Sequence, residues 1–145
     1  MRPTRQPGGI VPEVALRKRR AFDAWAPVYD SQPNPLLTLE ERHLKGLLPK
    51  IAGRNVLDAG CGSGRWLRHL ADHDPNTLKG IDPSSEMLRA AAGKKTSAEL
   101  FVGSCEQTPF PRQSFDLILS SFVLSYVGDL SLCATELHQI GRAHV

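Results

Sequence analysis

Val56-Leu57-Asp58-Ala59-Gly60-Cys61-Gly62-Ser63-Gly64 is the stretch on which the reading of this chain turns. Val56 and Leu57 form a short apolar run that ends at an acid, the pattern of a buried strand. Three glycines at alternate positions follow, and they let the backbone turn sharply and pass close to a ligand. Trp66, Leu67 and Leu70 then fall at helical spacing. The unit is strand, glycine turn and helix, with the free N–H groups of the helix start facing whatever occupies the turn.

Two ligand classes use such a turn. The dinucleotide fingerprint is G-x-G-x-x-G, with a pyrophosphate on the helix N-terminus. Here the pattern is G-x-G-x-G, and Asp58 stands two residues before its first glycine. A carboxylate there repels a pyrophosphate and attracts a ligand that carries ammonium and sulfonium charges. S-adenosylmethionine fits that requirement better than NAD, although the glycine pattern by itself is a weak signal.

Further along, Leu78-Lys79-Gly80-Ile81-Asp82 reads as a second strand, and Asp82 ends it 22 residues after Gly60. An acid at that place accepts the ribose hydroxyls of a nucleoside. The competing reading is a helix-capping aspartate before Pro83-Ser84, and the joint arrival of strand, turn and acid favours the nucleoside. Ser84-Ser85-Glu86 opens a helix through Met87, Leu88 and Ala92 that Gly93 closes. Leu100-Phe101-Val102 is a third strand, and Phe115-Asp116-Leu117-Ile118-Leu119 is a fourth, apolar enough to be covered on both faces. Asp129 caps a last helix through Leu130, Cys133 and Leu137. Strands alternating with helices imply an α/β fold with a doubly wound, Rossmann-like parallel sheet, whose ligands bind at the carboxyl ends of the strands.

Upstream of the glycine turn, a helical pattern starts at Glu13 and is expected to stop at Pro27, with Val14, Phe22 and Trp25 on one side. The phrase from Ala21 to Asp30 is rich in aromatics for a chain with only 6% of them. It is read either as a helix packed on the core or as a lid over the ligand, with Tyr29 offering its hydroxyl. Thr38-Leu39-Glu40-Glu41 has capping-box spacing, Leu44, Leu47 and Leu48 form an apolar stripe, and Pro49 ends that helix. His43 is placed on the solvent face.

The chain has 145 residues, 41% hydrophobic and 23% charged, which suffices for one globular domain. No apolar run approaches membrane-spanning length, and the basic N-terminus lacks the apolar core of a secretory signal, so a cytoplasmic location is expected. Cys61, Cys105 and Cys133 are odd in number and have no C-x-x-C spacing, against both a disulfide framework and a zinc site. The net charge is +3, but the first 20 residues hold six basic residues against Glu13, and the other 125 hold 12 basic and 14 acidic. A basic arm on a slightly acidic body, without interleaved aromatics or glycines, reads as a solvated helix face, and no nucleic-acid partner is expected.

On these residues the chain resembles the class I S-adenosylmethionine-dependent methyltransferases, within the group acting on small molecules, lipid quinones or acyl carriers. The resemblance runs from about Ala21 to His138. It implies that Gly60, Cys61, Gly62 and Gly64 hold the methionine part and that Asp58 orders its ammonium. Gly80-Ile81-Asp82-Pro83-Ser84-Ser85-Glu86-Met87-Leu88 resembles the second motif, which assigns Asp82 to the ribose and Met87 to the adenine, with Pro83 also among the cofactor-binding residues. Where the family commonly has Gly-Asp-Ala-Glu, this chain has Gly103-Ser104-Cys105-Glu106, so Ser104 takes the place of the acid at the adenine amino group, with a weaker acceptor than a carboxylate, and Cys105 is also counted as cofactor-binding. The alternative functions are an NAD(P)-binding oxidoreductase and a non-catalytic nucleoside-binding module. No catalytic residue is assigned, because His69, His73 and His138 have no partner constellation near them in sequence.

The family's sheet has seven strands, and four are legible here. Ile140-Gly141-Arg142-Ala143-His144-Val145 resembles a translated library adapter. The expected organisation is a mobile tail over residues 1–12, the N-terminal part of a methyltransferase domain over 13–139, a non-native tail over 140–145, and no turnover by the fragment alone.

Overall fold

The computed structural model describes residues 13–142; the tail expected over 1–12 and the final residues 143–145 lie outside them. Four parallel strands form one sheet in the order β3-β2-β1-β4, with β1 Asn55–Ala59, β2 Thr77–Asp82, β3 Glu99–Val102 and β4 Leu117–Leu119. Five helices surround it: α1 Glu13–Tyr29, α2 Pro35–Leu47, α3 Arg65–Ala71, α4 Ser85–Gly93 and α5 Leu130–Ile140. The registers place Asp58 opposite Gly80 on one side and Leu119 on the other, so β1 is the centre from which the site is built.

Alternation along each strand divides the core into two layers. Val56, Leu78 and Leu119 face Trp66, Leu67 and Leu70 of α3 and Leu88 of α4. Leu57, Ala59 and Ile81 face the other way, against Cys133 and Ile140 of α5 and the buried Phe115. Both faces are covered by helices, which is the doubly wound arrangement. The helix starts follow from their capping chemistry: Ser84 Oγ accepts from Met87 N at 3.1 Å, and Asp129 Oδ1 accepts from Leu132 N at 3.0 Å.

Four local expectations are corrected. α1 continues through Pro27 to Tyr29. A proline there removes one backbone bond within the last turn, where the helix has little left to lose. α2 starts a turn earlier than Thr38, because Asn34 accepts from Leu36 N at 3.0 Å and Pro35 occupies the first helical position. Gly93 is still helical; the left-handed residue that ends the turn is Lys95, with φ 52°. β4 is shorter than expected and carries half-buried Leu117 and Ile118, while Phe115 lies before the strand and pairs with Gly141 in an isolated parallel bridge. At that end Ile140 closes α5 in the core and Arg142 Nη1 meets Asp116 Oδ1 at 2.8 Å.

Candidate functional site

At the carboxyl ends of β1 and β2 the glycine turn bends back under the sheet. Gly60 N and Cys61 N donate to Ile81 O at 2.8 and 3.0 Å, which fixes the turn to the neighbouring strand. All three glycines have positive φ, of 81°, 52° and 84° for Gly60, Gly62 and Gly64. Their surroundings differ. A Cβ on Gly60 would lie 2.2 Å from Val123 Cγ2, and one on Gly64 would lie 2.9 Å from the Ala91 side chain, so these two serve close packing of a loop and of α4. A Cβ on Gly62 would meet nothing within 4 Å. Of the three, Gly62 is the one that faces open space.

Asp82 is tied into this turn. Its Oδ2 accepts from Gly62 N and its Oδ1 from Ser84 N, each at 2.9 Å. Burial raises its pKa in spite of those two bonds. Each oxygen keeps lone-pair capacity for a further donor, so the capping role and a ligand role are compatible. Asp58 is 2% exposed, and its Oδ2 is buried with no hydrogen-bond partner among the described residues. Desolvation, reinforced by the nearby Asp82, pushes its pKa up to about 7, while Arg65 pulls the other way. A carboxylate held in that state is half-ready to ionise and gains most from an arriving cation.

The cavity above the turn has a volume of about 120 Å³. Gly60, Gly62, Asp82, Pro83, Met87, Ser104 and Cys105 form its wall, so seven of the residues assigned from sequence converge there. Cys61, Gly64, Asp58 and Tyr29 are not in that wall. Cys61 and Asp58 are buried, and Gly64 packs on α4. Tyr29, half-buried, sets its ring edge-on to Trp25 at 4.9 Å; α1 reaches the cavity instead through Phe22. The Cys105 thiol, raised to about 12 by burial, is a wall and not a nucleophile. A larger cleft of about 230 Å³ between β4 and α5 contains none of the assigned residues.

Sequence reading missed the other wall. Ser121, Phe122, Val123, Tyr126 and Val127, from the loop after β4, close the cavity opposite Met87, and Tyr126 meets Phe22 edge-on at 4.9 Å. The clustered aromatic and branched residues of that loop were the available signal. Glu106 also lines the cavity; despite burial, which would raise its pKa, bonds from Gly128 N and Asp129 N hold it low and anchor that loop.

The comparison with known proteins bears directly on this geometry. The profile of a family described as a methyltransferase domain matches residues 57–144, more than half of the chain and the whole of the glycine turn. The chain belongs to this family. The match separates the two ligand classes left open by the glycine spacing, on the methyltransferase side. Over 88 residues, 61% of the chain, it is 39% identical to a malonyl-[acyl-carrier protein] O-methyltransferase of Erwinia billingiae, of which it covers 35%. It is 31% identical to a demethylmenaquinone methyltransferase of Lactiplantibacillus plantarum, over 82% of the chain and 55% of the relative. A solved S-adenosylmethionine-dependent methyltransferase from Mesorhizobium loti superposes with a TM-score of 0.65 at 31% identity, over 70% of this chain and 48% of that one. The chain thus spans about half the length, or less, of these relatives. Among the described residues no helix is long and apolar enough to cross a membrane.

Proposed function

We propose that the chain binds S-adenosylmethionine at the glycine turn and forms the cofactor half of an enzyme that methylates a small-molecule, lipid-quinone or acyl-carrier acceptor. The observation that carries the reading is the buried, unpartnered Asp58 Oδ2 beneath a glycine turn whose Gly62 faces open space. An unsatisfied buried carboxylate is costly, and a ligand ammonium is the natural compensation. In this reading Asp82 holds the ribose and Met87 and Ser104 meet the adenine, with Pro83 and Cys105 beside them; all five line the cavity. The acceptor classes come from the relatives, which are named for a malonyl acyl-carrier protein and for demethylmenaquinone.

When bound, S-adenosylmethionine supplies a methyl group on a sulfonium, transferred by in-line displacement. What the chain contributes is alignment and exclusion of water. The glycine turn and Asp82 fix one end of the ligand to β1 and β2; Phe22 and Tyr126 cover the cavity. The cavity of about 120 Å³ is well below the ~300 Å³ of an ordinary small-molecule cleft, so in this reading its walls move apart when a nucleoside enters, at Phe22 or at Tyr126. A cytoplasmic location is part of the same reading.

Calorimetry of the chain with S-adenosylhomocysteine and, separately, with NAD tests this. Binding of the former alone is expected; binding of NAD alone would restore the oxidoreductase reading. Turnover on a panel of carboxylate, quinol and acyl-carrier acceptors by the full-length parent would separate an enzyme from a binding module.

A further inference from the structure

We infer that Arg65 receives the carboxylate of the cofactor's amino-acid end, with Glu40 and Ser121 as the residues that position it. The inference deepens the S-adenosylmethionine reading above and rests on it. Two orphan atoms of opposite character lie at the end of β1 and the start of α3. Asp58 Oδ2 is a buried acceptor without a donor, and Arg65 Nη1 is a buried donor without an acceptor. Glu41 Oε2 lies 3.9 Å from Nη1, beyond hydrogen-bond reach, and Glu41 is itself engaged by Lys45. The two side chains share one electrostatic environment, since Arg65 is the cation that opposes the raised proton affinity of Asp58.

The guanidinium is held from its other side. Its Nη2 donates to Glu40 and lies 3.4 Å from Ser121 Oγ, and its Cζ sits 5.1 Å over the Trp66 ring. Ser121 also donates to Glu40, and Trp66 Nε1 approaches the same carboxylate at 3.4 Å. Ser121 is part of the cavity wall, so this cluster connects α2 and α3 to the cavity. A planar guanidinium with one edge occupied presents its remaining donors in a fixed direction, the geometry suited to a carboxylate. A ligand group carrying both ammonium and carboxylate would satisfy Asp58 and Arg65 together. The amino-acid end of the cofactor is such a group. The competing view is that Arg65 only staples α2 to α3 through Glu40.

The test compares S-adenosylhomocysteine with its decarboxylated analogue, which keeps the adenosine and the amine, by calorimetry on the 145-residue chain. The unsubstituted chain is expected to prefer the carboxylate-bearing ligand by about tenfold or more. Arg65→Gln should abolish that preference while the analogue is still bound, which also shows that the variant is folded. Arg65→Lys should keep part of it as a point charge. Glu40→Gln should reduce it by a smaller factor, about threefold, with the analogue again still bound. If Arg65→Gln retains the preference, or weakens both ligands equally, the staple is all that Arg65 provides. If the unsubstituted chain binds NAD and not S-adenosylhomocysteine, the cofactor reading itself fails, and this inference with it.

Discussion

Gly60 and Gly62 look alike in sequence and do different things. Gly60 carries positive φ and has Val123 pressed against the place of its missing Cβ, so Gly60→Ala should cost stability from both strain and overlap, about 2–4 kcal/mol in denaturant unfolding. Gly62→Ala meets strain alone, about 1–2 kcal/mol, but puts a methyl group into the open space over the turn and should weaken S-adenosylhomocysteine more than Gly60→Ala does. Truncating Val123 to alanine in the Gly60→Ala background should recover part of the stability and would leave Gly62→Ala unimproved. Asp82 shows the same layering: with one oxygen on Gly62 N and the other on Ser84 N, it is a structural acceptor before any ligand arrives. Asp82→Ala should weaken S-adenosylhomocysteine about tenfold or more, and Asp82→Asn, which keeps one acceptor, less. Unchanged affinity in a folded Asp82→Ala variant would reduce Asp82 to its structural role. Sequence showed that glycines and an acid sit here; it could not show which glycine faces a neighbour, because that depends on Val123 and Ala91, 63 and 27 residues away from Gly60 and Gly64.

Among the elements, the strands and the core-facing helices were legible because their apolar periodicity is strong. Trp66, Leu67 and Leu70 of α3 are all buried, as their spacing requires. Prediction failed where a helix is weakly buried and its ends are set by chemistry at single positions. α2 has no fully buried residue and Leu47 is exposed, so its boundary was decided by Asn34 and Pro35 and not by a hydrophobic stripe. α1 is similarly exposed, and polar contacts invisible to periodicity hold it over the site. Ser84 Oγ donates to Asp23 Oδ1 at 2.6 Å, and Ser63 Oγ and Lys94 Nζ donate to Asp30 at 2.6 and 2.8 Å. Lys94 also donates to Ser63 O at 2.6 Å, so one lysine joins α1, α4 and the glycine turn. If it is Phe22 on α1 that moves aside when a nucleoside enters, loosening this latch should speed ligand exchange. Lys94→Ala is expected to raise the dissociation rate of S-adenosylhomocysteine several-fold in stopped-flow measurements and to make α1 more sensitive to protease. Global stability should fall by no more than about 1 kcal/mol, since the pair is partly solvated. An unchanged dissociation rate would mean that the Tyr126 side opens instead.

At the scale of the whole molecule, acids of opposite tendency, some buried and some half-exposed, set where the fold is most stable. Asp30, Glu41 and Glu106 have lowered pKa values, so each contributes stability that is present above its unfolded value and lost as pH falls through the folded one. Asp58 does the reverse. Its pKa rises from 3.8 in the unfolded chain to about 7, so the native state binds more protons than the unfolded state between those values. Its contribution is present below the unfolded value and lost as pH rises through about 7, and Asp82, also raised by burial, adds to that loss. The ligand-free chain should therefore melt highest in mildly acidic solution and lower at about pH 8 than at about pH 6. A cation placed against Asp58 removes the penalty of ionising it. S-adenosylhomocysteine should accordingly raise the melting temperature more at the higher pH, and its binding near neutrality should release a proton, read by calorimetry in buffers of different ionisation enthalpy. Asp58→Asn should flatten the alkaline fall of the ligand-free chain and abolish the proton release. A melting temperature that rises from about pH 6 to about pH 8 without ligand would show that Asp58 is already compensated, and would take away the unsatisfied carboxylate on which the ammonium site depends.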